Sequence, residues 1–149
     1  MTEQPFVPDD FVAPRGLAAE GFRLEPLGPQ HNESDHVAWM SSIEHIRTTP
    51  GFHGRDWPPA EGMDLAANLR DLVAHAKDFA ARTGFTYTVL DAAGDVIGCV
   101  YIYPSRTHRH VTDVRSWVCA ARGELDGPLH NAVAAWLASD WPFAEVDYR

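Results

Sequence analysis

The stretch Asp113–Ser139 constrains the fold of this chain more than any other. It reads Asp-Val-Arg-Ser-Trp-Val-Cys, then Ala-Ala-Arg-Gly-Glu-Leu-Asp-Gly-Pro, then Leu-His-Asn-Ala-Val-Ala-Ala-Trp-Leu-Ala-Ser. The first part is short and rich in β-branched and aromatic residues, as a strand is. In the last part Leu129, Ala132, Val133, Trp136 and Leu137 recur at i, i+3, i+4, i+7 and i+8, one apolar stripe of a helix. Between them Gly123, Asp126, Gly127 and Pro128 predict a tight turn and a helix start, with Asp126 as the cap. Strand, glycine-bearing turn and helix in succession aim backbone N–H groups at an anion.

The rest of the chain arranges itself around that unit. Residues 1–20 carry Pro5, Pro8 and Pro14 among Phe6, Phe11 and Val12, which predicts an extended arm lying on the body or on a partner chain. The domain proper is expected over residues 21–149. Phe22–Leu27 alternates as a first strand. Gln30–Arg47 is expected as one helix, with Trp39, Ile43 and Ile46 on its apolar face. Thr48–Gly62 is a long loop dense in turn formers, a length that often carries function. Asp64 caps a second helix running to Arg82, with Leu65, Leu69, Leu72, Ala76, Phe79 and Ala80 as its stripe and Gly84 as its stop. Phe85–Leu90 and Val96–Tyr103 read as strands joined by a hairpin at Asp91–Asp95, and Gly98 marks a bulge or a close backbone approach. Trp141–Tyr148 is a last strand. The order predicts a mixed α/β (α+β) layer fold whose strands on either side of the last helix are parallel neighbours.

Composition excludes several function classes. At 149 residues the chain is one domain. Its net charge is −9, with Lys77 the only lysine among twelve Lys and Arg residues, a balance that repels a phosphate backbone and argues against nucleic acid. Cys99 and Cys119 both fall in expected strands, as small buried hydrophobes rather than a disulfide pair. The acidic, proline-rich N-terminus lacks the apolar core of a signal peptide, and no apolar run approaches the ~20 residues of a membrane span, so the expectation is a cytoplasmic protein that does not contact membranes. His108 and His110 have a spacing found in some metal sites, but with no further ligand at a fixed offset they read as part of a solvated basic loop, and no metal is expected. His31, His36 and His45 share no face. Gly-x-Ser-x-Gly, Walker A and Cys-x-x-Cys patterns do not occur.

The element order, with Phe22-Arg-Leu-Glu-Pro-Leu27, Val96-Ile-Gly-Cys-Val-Tyr-Ile102, the Ser116-Trp-Val118 strand and the turn-plus-helix after it, resembles the GNAT superfamily of acyl-CoA-dependent N-acetyltransferases over roughly residues 20–149. The resemblance implies a mostly antiparallel sheet flanked by helices, with a splayed parallel strand pair near the C-terminus. In that family the pantetheine of the acyl-CoA lies in the wedge and the turn cradles its pyrophosphate. It further implies acetyl-CoA as co-substrate, held by the strand Trp117, Val118 and Cys119 and by Arg122, Gly123 and Gly127 of the turn. The family turn follows Arg/Gln-x-x-Gly-x-Gly/Ala, and this one departs from it. With Arg122 on the arginine position, Leu125 occupies the first required glycine. In the register set by the helix stripe, Ala121 falls on the arginine and Glu124 and Asp126 on the glycines. Carboxylates there oppose a pyrophosphate, and Pro128 removes one N–H from the nest. Family members continue beyond the last strand into a helix carrying a general-acid tyrosine; Tyr148 is the nearest tyrosine here and reads as a strand aromatic.

Acetyl transfer to an amine needs a proton acceptor. Asp113 is the first candidate and His110 the second, with an Asp113–Arg115 surface pair as the competing account. His53 and Trp57, in the long loop, and Tyr101 and Tyr103, on one strand face, are candidates for the acceptor cleft. Two functions follow as expectations. One is N-acetyl transfer from acetyl-CoA to an unidentified small-molecule or peptide amine. The other is a non-catalytic binding or dimerisation module, possible as a homodimer, that has lost CoA binding.

Overall fold

The computed structural model describes residues 5–149. They build one six-stranded sheet whose strands lie in chain order: β1 (Leu17–Ala19), β2 (Phe22–Pro26), β3 (Phe85–Leu90), β4 (Val96–Pro104), β5 (Val111–Val118) and β6 (Glu145–Tyr148). Neighbours are antiparallel up to β5, and β5 and β6 are parallel, as expected from the helix between them. A 3-10 turn (Pro29–His31), α1 (Asn32–Met40), α2 (Ile43–Arg47) and α3 (Leu65–Ala81) separate β2 from β3. A second 3-10 segment (Ala120–Leu125) and α4 (Asp126–Asp140) separate β5 from β6.

Alternation along the strands divides the core in two. Phe85, Tyr87 and Val89 of β3, Val100 and Ile102 of β4, and Val114 and Val118 of β5 meet Leu129, Val133, Trp136 and Leu137 of α4. Cys99 and Trp117 face the other way, against Ala38, Trp39, Ile46, Phe52 and Leu72. The site lies on that second face.

Residues 1–4 of the expected arm lie outside the described residues. Beyond them Val7 is buried, and Phe6 stacks on Phe85 and Phe143 at 6.0 and 5.0 Å. The Arg82 guanidinium donates to the carbonyls of Phe11 and Pro8 at 2.6 and 2.5 Å. The end of this stretch pairs with β2 as β1, and Gly21 at φ 90° makes the reversal.

Several boundaries differ from the sequence expectation. The single helix expected over Gln30–Arg47 is broken into three pieces, because the Ser41 hydroxyl donates to the Ala38 carbonyl at 3.0 Å and Ser42 leaves the helical region at φ −134°. In α3 the buried residues are Asn68 and Leu72, whereas Leu65 and Leu69 are exposed. Asn68 turns inward because Trp39, Asn32 and Asp35 all hydrogen-bond its amide. The helix ends at Arg82 in the left-handed region (φ 65°), and Gly84 instead makes room for the Tyr103 ring. Gly98 fits its reading. A Cβ there would stand 2.4 Å from the Trp117 carbonyl oxygen, and the β3–β4 register shifts opposite it. The last strand is confined to Glu145–Tyr148, with Trp141 in the core instead.

The turn before α4 differs most. Residues 120–125 are helical and run into α4 with a kink at Arg122 (φ −121°, ψ 30°), so Cys119 is the residue that precedes the helical run. Asp126 therefore caps nothing; its side chain makes no capping hydrogen bond and points to His45.

Candidate active site

The face of the sheet not covered by α4 carries a cleft of about 830 Å³ between α3, the long loop and the ends of β4, β5 and β6. Its aromatic wall comes from the loop and strands: Trp57 packs against Trp39, Phe52, Tyr101 and Trp117 at 5.3–6.2 Å between ring centroids. Trp117 is fully buried and donates its indole N–H to the Tyr101 hydroxyl at 3.0 Å, and burial pushes the Tyr101 phenol well above its ordinary value. Arg115 lies over the Phe52 and Tyr101 rings at 5.4 and 5.7 Å.

The charged groups are six carboxylates and four arginines. Asp35 is 4 % exposed, and burial raises its pKa to about 6 against the opposing hydrogen bond from Asn68. Asp71 and Asp78 line the cleft from α3. Asp113 Oδ2 sits between two guanidinium groups, 3.7 Å from Arg115 and 3.8 Å from Arg55. At the α3 wall His75 Nδ1 lies 2.8 Å from the Tyr103 hydroxyl and 3.2 Å from Thr86 Oγ1, and Tyr103 donates to Asp78 Oδ2 at 2.8 Å. Burial lowers the His75 pKa below its ordinary value, outweighing Asp71 and Asp78.

β5 and β6 pair from Val111 opposite Glu145 to Val114 opposite Tyr148. Arg115–Val118 then run on without a strand partner on that edge among the described residues. The Tyr148 ring turns back over this stretch: its hydroxyl meets Ser116 Oγ at 2.5 Å, and the ring stacks on His130 at 4.0 Å. Burial pushes its phenol up to about 12.

The turn beyond β5 is closed by its own chain. The Ala120 N–H donates to Ser42 Oγ at 2.8 Å and the Arg122 N–H to the Cys119 carbonyl at 2.9 Å. The Asp126 N–H bonds back to the Gly123 carbonyl. Asp126 Oδ2 is 3.3 Å from His45 Nε2 without an aligned hydrogen bond, and burial raises the Asp126 pKa against His45. Arg122 is drawn to Asp91 (3.5 Å) and Glu124 (3.7 Å). A nest for pyrophosphate needs free, convergent amides. Here the amides of Ala120, Arg122 and Asp126 are bonded within the chain, and the carboxylates of Glu124 and Asp126 stand alongside, so the turn is a poorer anion nest than a run of free amides.

Of the residues singled out from sequence, Trp57, Tyr101, Tyr103 and Asp113 line the cleft. His53 is exposed and outside it, and so is His110, which sits at φ 64° in the turn between β4 and β5. Trp117 and Val118 are buried in β5, Cys119 is half-buried, and Arg122, Gly123 and Gly127 belong to the helical run. Sequence reasoning missed His75, Asp78, Asp71 and Asp35. Asp71, His75 and Asp78 follow one another at i, i+4 and i+7 on α3, a spacing that reads as a solvated flank unless the partner strand is known.

This sheet order and parallel final pair match the GNAT fold, and similar solved structures include acetyltransferases. Ribosomal-protein-S5-alanine acetyltransferase from Vibrio fischeri is similar with a TM-score of 0.70 at 12 % identity, over 89 % of this chain and 72 % of that one. Microcin C7 self immunity acetyltransferase MccE, in complex with acetyl-CoA and AMP, is similar with a TM-score of 0.64 at 13 % identity, over 87 % and 68 %. RimL, the ribosomal L7/L12 alpha-N-protein acetyltransferase in complex with coenzyme A, is similar with a TM-score of 0.63 at 9 % identity, over 80 % of this chain and 63 % of that one. This chain thus spans less than two thirds of RimL. No family model and no curated protein matches the sequence. No helix among the described residues is long and apolar enough to cross a membrane.

Proposed function

We propose that this protein is an N-acetyltransferase that uses acetyl-CoA to modify an amine bound in the cleft below Trp57 and Tyr101. The carrying observation is the position of that cleft. It opens between α3, the long loop and the ends of β4, β5 and β6, and carboxylates, arginines and aromatic rings line it. An alkylamine arrives as a cation at neutral pH. Asp71 and Asp78 on α3 favour its entry, and Trp57 provides a ring face for it. Asp113 is the sequence candidate for proton acceptor that lines this cleft. The Trp117–Cys119 stretch of β5 is the candidate for polarising the acyl carbonyl, through an amide other than that of Cys119, whose N–H is bonded to the Ile97 carbonyl at 2.8 Å.

Thermal unfolding with acetyl-CoA tests the reading. A ligand at 100 times its dissociation constant stabilises the folded state by about 2.7 kcal/mol, which raises the midpoint measurably. An unchanged midpoint at millimolar acetyl-CoA overturns the transferase reading. A second reading rests on the closed turn: a cleft-binding protein on the same architecture that does without CoA. In that case an amine raises the midpoint and acetyl-CoA does not.

A further inference from the structure

We infer that His75 is the proton acceptor of the cleft, held in the required tautomer by Tyr103 and Asp78; this rests on the transferase reading above. The direction of the hydrogen bonds carries the argument. The Asp78 carboxylate can only accept, so Tyr103 spends its single O–H proton on Asp78 Oδ2 at 2.8 Å. The Tyr103 oxygen can then only accept from His75, and the 2.8 Å contact places the imidazole proton on Nδ1. Thr86 Oγ1, at 3.2 Å, shares that N–H from β3. Nε2 is left with its lone pair and with no hydrogen-bond partner among the described residues, on a residue that lines the cleft.

The surroundings keep the ring neutral. Asp71 and Asp78 face it from α3 and favour the imidazolium, Arg115 from β5 opposes it, and Tyr101 and Tyr103 of β4 pack against it as neutral phenols. Burial outweighs the carboxylates. In the step assigned to His75 an alkylammonium R–NH3+ loses one proton. The N–H bond breaks with its electron pair staying on the amine, the Nε2 lone pair takes the proton, and the products are R–NH2 and the imidazolium, which later returns the proton to water. Asp113, held between two arginines, is then a positioning charge rather than the acceptor. Tyr103 and Asp78 act through His75 and are positioning residues too.

Long-range nitrogen–proton NMR of the histidine rings tests the assignment without turnover. The expected result is a His75 ring that is neutral at pH 7 and protonated at Nδ1, with a midpoint below 6.5. In Tyr103→Phe the tautomer balance moves toward Nε2–H. A ring that is charged at pH 7, or protonated at Nε2, overturns the proposal. Failure there is distinct from failure of the transferase reading, which the acetyl-CoA midpoint decides. Free-thiol release from acetyl-CoA with a panel of primary amines adds the kinetic arm. His75→Gln should lower kcat at pH 7 by about 100-fold or more and flatten the acid limb of the pH profile. An unchanged kcat in His75→Gln overturns the assignment.

Discussion

The hydroxyl of Ser42, at the junction of α1 and α2, accepts the backbone N–H of Ala120 at 2.8 Å. One side chain thus joins the broken first helix to the helical run between β5 and α4. Ser42 is 3 % exposed, so its orientation is set by packing rather than by solvent. Ser42→Ala removes the acceptor, and the expected loss is about 1 kcal/mol of stability, the usual net value of one such bond. Urea unfolding measures it; a change within error would mean that water replaces the hydroxyl without cost.

Gly98 and Trp117 fix the spacing of β4 and β5. With the Trp117 carbonyl oxygen 2.4 Å from where a Cβ would be, Gly98→Ala must push the two central strands apart. The expected cost is about 1–3 kcal/mol. Because the shift also moves the indole N–H from the Tyr101 hydroxyl, near-ultraviolet circular dichroism of the aromatic cluster should change with it. Equal stability and spectrum in Gly98→Ala would refute the close approach.

Asp35 makes stability depend on pH in an unusual direction for a carboxylate. Its folded pKa, about 6, lies above the unfolded value of 3.8, so between those values the folded state holds more of this proton. The contribution of Asp35 to stability is therefore full below pH 3.8, falls as pH rises to about 6, and levels off beyond, a span of roughly 3 kcal/mol from the linkage relation. Asp35→Asn keeps an acceptor for the Asn68 amide and should remove that slope from urea unfolding followed between pH 4 and 7. A mutant with the same slope as the parent would assign the titration elsewhere.

The two thiols should separate kinetically. Cys99 is 1 % exposed and burial holds its thiol well above the ordinary value, whereas Cys119 is half-buried with a smaller rise. Reaction follows the accessible thiolate. A disulfide reagent should titrate one thiol in the native protein, lost in Cys119→Ser, and a second only on unfolding. Two fast thiols would contradict the burial of Cys99.

Much of the architecture was legible because it depends on periodicity. The α4 stripe, the alternation of β3, the two-sided burial of β4 and the parallel relation of β5 to β6 follow from local pattern and chain connectivity. Trp57, Tyr101, Tyr103 and Asp113 were reachable as cleft residues through the resemblance to GNAT proteins. His53 and His110 were equally plausible by that route, and the loop conformations leave both in solvent.

The sequence alone carried β2 to β5, α3, α4 and the parallel relation of β5 to β6, since those depend on propensity, apolar spacing and the length of connections; β1, the break after α1 and the helical run Ala120–Leu125 did not follow from it. Tertiary structure alone decided three things: that Asn68 rather than Leu69 faces the core, that Ser42 and the helical run close the turn, and that His75 meets Tyr103 and Asp78. Each involves a polar group choosing a partner distant in the chain or carried on another element. A hydrogen bond is satisfied by position and direction in space, and neither is encoded in the spacing of residues along one element.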